Sequence, residues 1–321
     1  MFLNRREMIT TSAVLAMGFA VGCGRRPESV LRVGTVPWRG FEPLFIARER
    51  GYFENTIQIV EYPGTPNIHR SFQNHAIEAA TVTLDEALQL AQTQPDVRVI
   101  MAIDFSNGAD ALLCKPEIIS LADLKGKRIG AELNSFGAFI LSRVLERADL
   151  LLADVTVVPL SIEQTESSFL SDEVDAVITC EPFSSRLQTS GATVLFDSAQ
   201  MPGEIVDVLI VREKTLRSHP RALANLLSGW FRAVEVFREQ PNDTASRAAD
   251  QGITADEFLG IHNRVELLDH SRNLALLKMP GGGLADTVRK LGASMKKYAL
   301  LNEMIDPARL LDSTILKQVT P

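Results

Sequence analysis

The feature that most constrains this chain is a strand–helix–strand unit near its start. Residues 32–36 are an apolar, β-branched run that reads as a strand. Pro37-Trp38-Arg39-Gly40 makes a turn, and a helix opens at Glu42-Pro43. Proline suits that first position because its missing N–H has no helical partner to lose. The helix runs to Arg50 and stops at Gly51, placed as a left-handed cap. A second strand follows over 57–61. A unit this short lays its two strands parallel in one sheet, with the helix crossing a face.

The alternation then repeats. Helices are expected over 69–79, 85–92, 136–147, 163–170 and 182–189. Strands are expected over 80–82, 97–104, 109–114, 128–132, 155–160, 174–179, 192–196 and 205–211. In the 136–147 helix, Phe136, Ile140, Leu141, Val144 and Leu145 fall on one face. After residue 211 the chain changes character. A long helix over 221–239 is entered by His219-Pro220, and Thr254 to Glu257 forms a capping box. The rest, including the Gly281-Gly282-Gly283 run, reads as short helices joined by loops.

The N-terminus sets an expected compartment. Arg5 and Arg6 precede an uncharged apolar stretch that ends at Ala20-Val21-Gly22-Cys23. That is the layout of a secretory signal, too short for a comfortable membrane span. The small residues before Cys23 resemble a lipobox, with Ala20 where Leu is usual. Residues 1–22 are therefore expected to be a signal peptide, 23–30 a tether, and Cys23 a lipidated membrane anchor. The arginine pair fits either the general secretory or the twin-arginine route. About 300 residues remain, enough for two lobes with cores. The chain carries a net charge of −7 and no basic run, which argues against nucleic acid as a partner. Cys114 and Cys180 read as buried free thiols at strand ends, with a disulfide as the alternative.

Several segments, in register, carry a family resemblance. Trp38-Arg39-Gly40-Phe41-Glu42-Pro43-Leu44 is followed by Ala47 and Gly51-Tyr52-Phe53. Then come Asp123 to Gly130, Val174-Asp175-Ala176-Val177 and Glu181-Pro182. Together they resemble the substrate-binding proteins for nitrate, sulfonate and taurine import, and the thiamine-pyrimidine-precursor binders of the same group. The resemblance implies an α/β class fold of the type II periplasmic binding protein kind. It has two lobes, each a mostly parallel sheet flanked by helices, and a helical C-terminal segment. Lobe 1 is expected over 31–109 and 205–321, and lobe 2 over 110–204. It also implies delivery of a small organic solute to an ABC permease and its ATPase. The expected location is the periplasm or the outer face of the cytoplasmic membrane. A solute sensor reporting to a membrane signalling protein is the alternative.

Strand-end loops supply the ligand-binding candidates, since ligands of open α/β sheets sit beyond the carboxyl ends of the strands. The first loop holds Trp38, Gly40, Phe41 and Glu42. Trp38 and Phe41 offer flat apolar area to a guest, or Trp38 caps the core beneath the turn. The second holds Thr83 and Asp85, and Asp85 either meets the ligand or caps its helix. The third holds Asp104 and Asn107. The fourth holds Asn134, Ser135 and Gly137, whose backbone N–H groups make either an anion seat or an ordinary cap. The fifth holds Glu181, and the sixth Glu204 and Asp207. Acids dominate this set: Glu42, Asp85, Asp104, Glu132, Glu181, Glu204 and Asp207 against Arg39. Such a site suits a ligand with an amine, ring N–H or other donor, with an acidic end allowed. Nitrogen heterocycles and amino-sulfonates fit, and nitrate fits poorly.

An enzyme is not expected, nor is a cofactor or metal. Relatives that make the thiamine pyrimidine carry a cysteine-rich iron motif, whereas here Cys114 and Cys180 stand far apart. His69, His75, His219, His262 and His270 form no zinc-binding spacing. No nucleophile elbow or phosphate loop is present.

Overall fold

A computed structural model of the chain describes residues 29–133, 136–240, 254, 258–260, 263–278, 281 and 283–320. Its strands form a six-stranded and a five-stranded sheet. The first sheet takes β1 (Leu31–Thr35), β2 (Ile57–Glu61), β3 (Ala79–Thr83) and β4 (Val97–Ser106). The chain then builds the second sheet from β5 (Asp110–Cys114), β6 (Arg128–Ala131), β7 (Thr156–Pro159), β8 (Ala176–Cys180) and β9 (Thr193–Asp197). It returns to the first with β10 (Val206–Arg212) and β11 (Val265–Leu267).

In the first sheet the order is β11-β4-β10-β3-β1-β2. β1 pairs in parallel with β2 and β3, Leu31 facing Ile57 and Val33 facing Ala79. β10 runs antiparallel between β3 and β4. The second sheet, β7-β6-β8-β5-β9, repeats this design: β6 is parallel to β7 and β8, and β5 is antiparallel to β8 and β9. Most strands of each sheet thus share one direction; β5 and β10, which enter a sheet after a crossing, and the edge strand β11 oppose it. β10 is buried along its whole length, as a strand covered on both faces must be.

Successive residues of a strand point to opposite faces, and the cores follow that period except at the register shift in β4 between Val99 and Met101, which puts Ile100 and Met101 in one core. Ile100, Met101, Ile103 and Leu209 pack on one face of the first sheet against the helix Pro220–Glu239. That helix presents Leu223, Leu226, Leu227, Trp230, Val234 and Phe237, a stripe at helical spacing. Each such side chain contributes about 1.5–3 kcal/mol by leaving water. Leu113, Val177 and Leu187 cover one face of the second sheet. The remaining cluster is shared, running from Val208, Ala102 and Leu88 to Leu112, Phe139 and Ile178. The two sheets are therefore joined by continuous apolar packing through the helices between them.

Three local expectations change. The helix expected over 69–79 is Thr65–Gln73, begun by Pro66 in its first turn and ended before His75, whose φ is 57°. β11 falls in the segment expected to be helical; three residues on the edge of β4 are too few to carry a periodic signal. The triple-glycine segment leads into the helix Gly283–Lys297. The Gly51 cap has the expected positive φ, 66°. Residues 1–22, Cys23, Asn134, Ser135, His262 and residues 255–257 of the capping box lie outside the described residues.

Candidate functional site

The ends of the strands converge on a cavity of about 490 Å³. From the first sheet it receives the loop after β1, the end of β2, the end of β3 and the start of β10. From the second it receives Asp110 at the start of β5, Glu132 after β6, Cys180 at the end of β8 and Glu181 to Phe183 after it. Because β5 and β10 run against their neighbours, their first residues lie at the same sheet edge as the others' last.

Five of the candidates line this cavity: Trp38, Phe41, Thr83, Glu181 and Asp207. The others do not. Gly40 is packed behind the wall, and a methyl group on it would overlap Asp104 Oδ2 and meet Trp38 Nε1 at 2.6 Å. Glycine is what lets the indole and the carboxylate crowd the same turn. Glu42 is buried in an ion pair with Arg39 at 3.5 Å. The Arg39 guanidinium also lies 5.8 Å from the Phe258 ring centroid. Asp85 is buried one residue inside the helix Leu84–Thr93, whose N-cap is Thr83. The neighbouring Glu86 reaches the cavity instead, its Oε2 accepting from the Thr83 N–H at 3.0 Å. Asp104 is only 1% exposed and stands behind Asp207, its partner across β4 and β10. Asn107 is exposed, with its N–H donating to the Arg264 carbonyl at 2.8 Å. Gly137 is buried against the Glu132 backbone. Glu204 is held outside by Arg143 at 2.7 Å.

Sequence reasoning missed Asp110, Glu86, Glu61, Phe183 and Arg186, all of which line the cavity. Asp110 was legible in principle, because a strand that leaves one sheet for another begins at the cleft. Glu86 was hidden by the one-residue error in the helix start.

Glu181 is buried and ion-paired with Arg264, which lies just ahead of β11, and its Oε1 accepts from Ser185 Oγ at 2.9 Å. Burial pushes the Asp110 carboxyl up to about 7, with Asp85 and Glu181 adding to it. Burial and then Asp110 push Asp104 up to about 8. Asp207 is driven well above its ordinary value by burial and by Asp104, Asp110 and Glu86. Glu86 moves the same way through burial and Asp85. Cys180, a free thiol on the cavity wall, is pushed well above its ordinary value by burial and by Asp110 and Glu181. Cys114 is also free and buried, its thiol facing the Ile118 carbonyl at 3.2 Å. Among the described residues no group of His, Cys, Asp and Glu is set to hold a metal ion. No described helix is long and apolar enough to cross a membrane.

Two sheets whose strand ends share one cavity define the periplasmic binding protein fold, and solved structures agree. The chain is similar to the ligand-binding component of an ABC-type import system from Staphylococcus aureus, solved with zinc bound. That match has a TM-score of 0.75 and 12% identity, over 91% of this chain and 99% of that one. It is similar to the alkanesulfonate-binding protein of Xanthomonas axonopodis pv. citri bound to MOPS, with a TM-score of 0.74 and 17% identity over 88% and 98%. A desulfurization enzyme shares the fold at a TM-score of 0.66 and 17% identity over 90% and 98%. Residues 38–244 match the model of the NMT1/THI5-like family, and the chain belongs to that family. A candidate aliphatic sulfonates-binding protein of Bacillus subtilis is 24% identical over 77% of this chain and 78% of its own length. A candidate thiamine biosynthesis protein of Haemophilus influenzae is 30% identical, but the match spans 42% of this chain and 44% of that relative.

Proposed function

We propose that this chain is an extracytoplasmic solute-binding protein. It captures a small organic solute between its sheets and hands it to an ABC permease and its ATPase. The observation that carries this reading is the cavity of about 490 Å³ walled by strand ends of both sheets. That is the volume of a small-molecule site. The proposed lobes are 31–109 with 205–321, and 110–204, hinged where the chain crosses near 106–111 and 200–206. Solute then acts by favouring the closed arrangement of the two. The similarity to a ligand-binding component of an ABC-type import system supports this direction.

Lipidation of Cys23 would hold the domain at the outer face of the membrane. Replacing Cys23 with Ala should then move the protein from the membrane to the soluble extracytoplasmic fraction.

Binding without chemistry is the better reading of the cavity. Its one thiol, Cys180, is raised well above its ordinary value, so the thiolate a nucleophile needs is scarce. A thermal-shift screen of solutes of each charge type tests the proposal, because a tight ligand raises the melting temperature by mass action. Absence of any shift across the screen and a small-molecule extract would rule it out.

A further inference from the structure

The wall of the cavity narrows the chemistry of its guest. Glu86, Asp110, Glu132, Glu181 and Asp207 bring carboxyl groups to it from both sheets. Glu61 and Glu163 add exposed acids to its lining. The basic residues of the lining are Arg39 and Arg186; Arg39 is already held by Glu42, and Arg264 beside the lining is held by Glu181. Asp110 and Asp207 are 6% and 5% exposed, so neither is relieved by bulk water. Behind them Asp104 Oδ2 is buried with no hydrogen-bond partner.

The charges that act on Asp110 and Asp207 come from other carboxylates: Asp85 and Glu181 on the first, and Asp104, Asp110 and Glu86 on the second. An anion placed here adds like charge in a site largely withdrawn from water, while a cation supplies the missing counter-charge. The same cavity presents Trp38, whose indole face attracts a cationic nitrogen as well as apolar carbon. Behind the wall the Trp38 Nε1 edge and Asp104 crowd the turn at Gly40, which leaves the indole face to the cavity.

We infer that the cleft selects a compact organic cation, with its positive nitrogen at Asp110 and Asp207 and its apolar body against Trp38. This rests on the solute-binding reading and specifies its substrate class. It separates the chain from relatives named for sulfonates, whose ligands carry the opposite charge at their head.

The test is isothermal titration calorimetry of the mature chain at about pH 8 with choline, n-butylammonium, putrescine and butane-1-sulfonate as probes. At least one of the three cations should bind about tenfold or more tightly than the sulfonate. Its heat should depend on the buffer's ionisation enthalpy, because binding a cation expels protons held by the carboxyls. Asp110→Asn and Asp207→Asn should each weaken that cation about tenfold or more. Their unliganded melting temperatures should be retained or raised, which separates lost binding from lost folding. Tighter binding of the sulfonate, or of a neutral solute, overturns the inference and leaves the transport reading standing. Cation binding that survives both substitutions overturns it too. Silence from every probe and from a small-molecule extract removes both readings together.

Discussion

Arg264 and Glu181 form an ion pair that joins the two sheets at the cavity. Arg264 precedes β11 of the first sheet, and Glu181 follows β8 of the second. The Arg264 carbonyl also accepts from Asn107 N–H, on the connection between β4 and β5. One residue of the C-terminal region thus ties a crossing segment to a cavity carboxylate.

Arg264→Ala leaves the buried Glu181 carboxylate without its cation. For a wholly buried pair the cost is about 3–5 kcal/mol, but water reaches Arg264, and about 1 kcal/mol is expected. Glu181→Gln in the same background should recover part of the loss. Urea denaturation of the two single variants and the double variant checks this, and an unchanged midpoint in Arg264→Ala contradicts it.

Gly40→Ala tests the packing behind Trp38. The added methyl meets Asp104 Oδ2 and Trp38 Nε1 far inside van der Waals contact, so one of them must move. A loss of about 1–3 kcal/mol is expected from overpacking. Trp38 and Trp230 are the two tryptophans, and Trp230 is buried in the core. The emission change on adding solute should disappear in Gly40→Ala and in Trp38→Phe, and its persistence in both would place the guest elsewhere.

Stability should fall as pH rises through the neutral range. Asp110, Asp104, Asp207 and Glu86 hold their protons more tightly folded than unfolded. The native state then carries the extra protons, and their contribution, full below the ordinary carboxyl value, is lost as pH approaches the raised values. His69, lowered to about 4 by burial, opposes this only up to its ordinary 6.5. Between about pH 6.5 and about 8.5 the melting temperature of the unliganded protein should therefore drop, and Asp110→Asn should flatten the slope. A rising or flat profile in the parent protein contradicts the placement of these groups.

The Cys180 thiol should react slowly with iodoacetamide at about pH 8, since little of it is thiolate there. Bound solute should slow it further, because Cys180 lines the cavity. Fast labelling, or labelling indifferent to solute, counts against that position.

The strand–helix alternation was readable because each element is long enough to carry its own period, as at residues 32–61. β11 was not, since its three residues are held by the neighbouring β4 rather than by their own pattern. Site residues divide in a similar way. Trp38, Thr83, Glu181 and Asp207 sit at strand ends, where the alternation already points. Asp104 and Asp85 occupy comparable positions in sequence, yet Asp104 lies two residues inside the end of β4 and Asp85 is buried in the first turn of its helix, so other side chains stand between them and the cavity. Asn107 is carried past the cleft by the turn at Gly108, whose φ is 95°. The acidic character of the site was legible as a count of charges; which acids face the guest needed the fold.

Hydrogen exchange measured by mass spectrometry, with and without a saturating solute, tests the central claim most directly. The account predicts slower exchange on binding in two separate stretches at once: the loop around Pro37 to Phe41, from the first sheet, and Cys180 to Phe183, from the second. Slowing confined to one of these sheets, or to the far ends of the strands, would contradict a guest held between them.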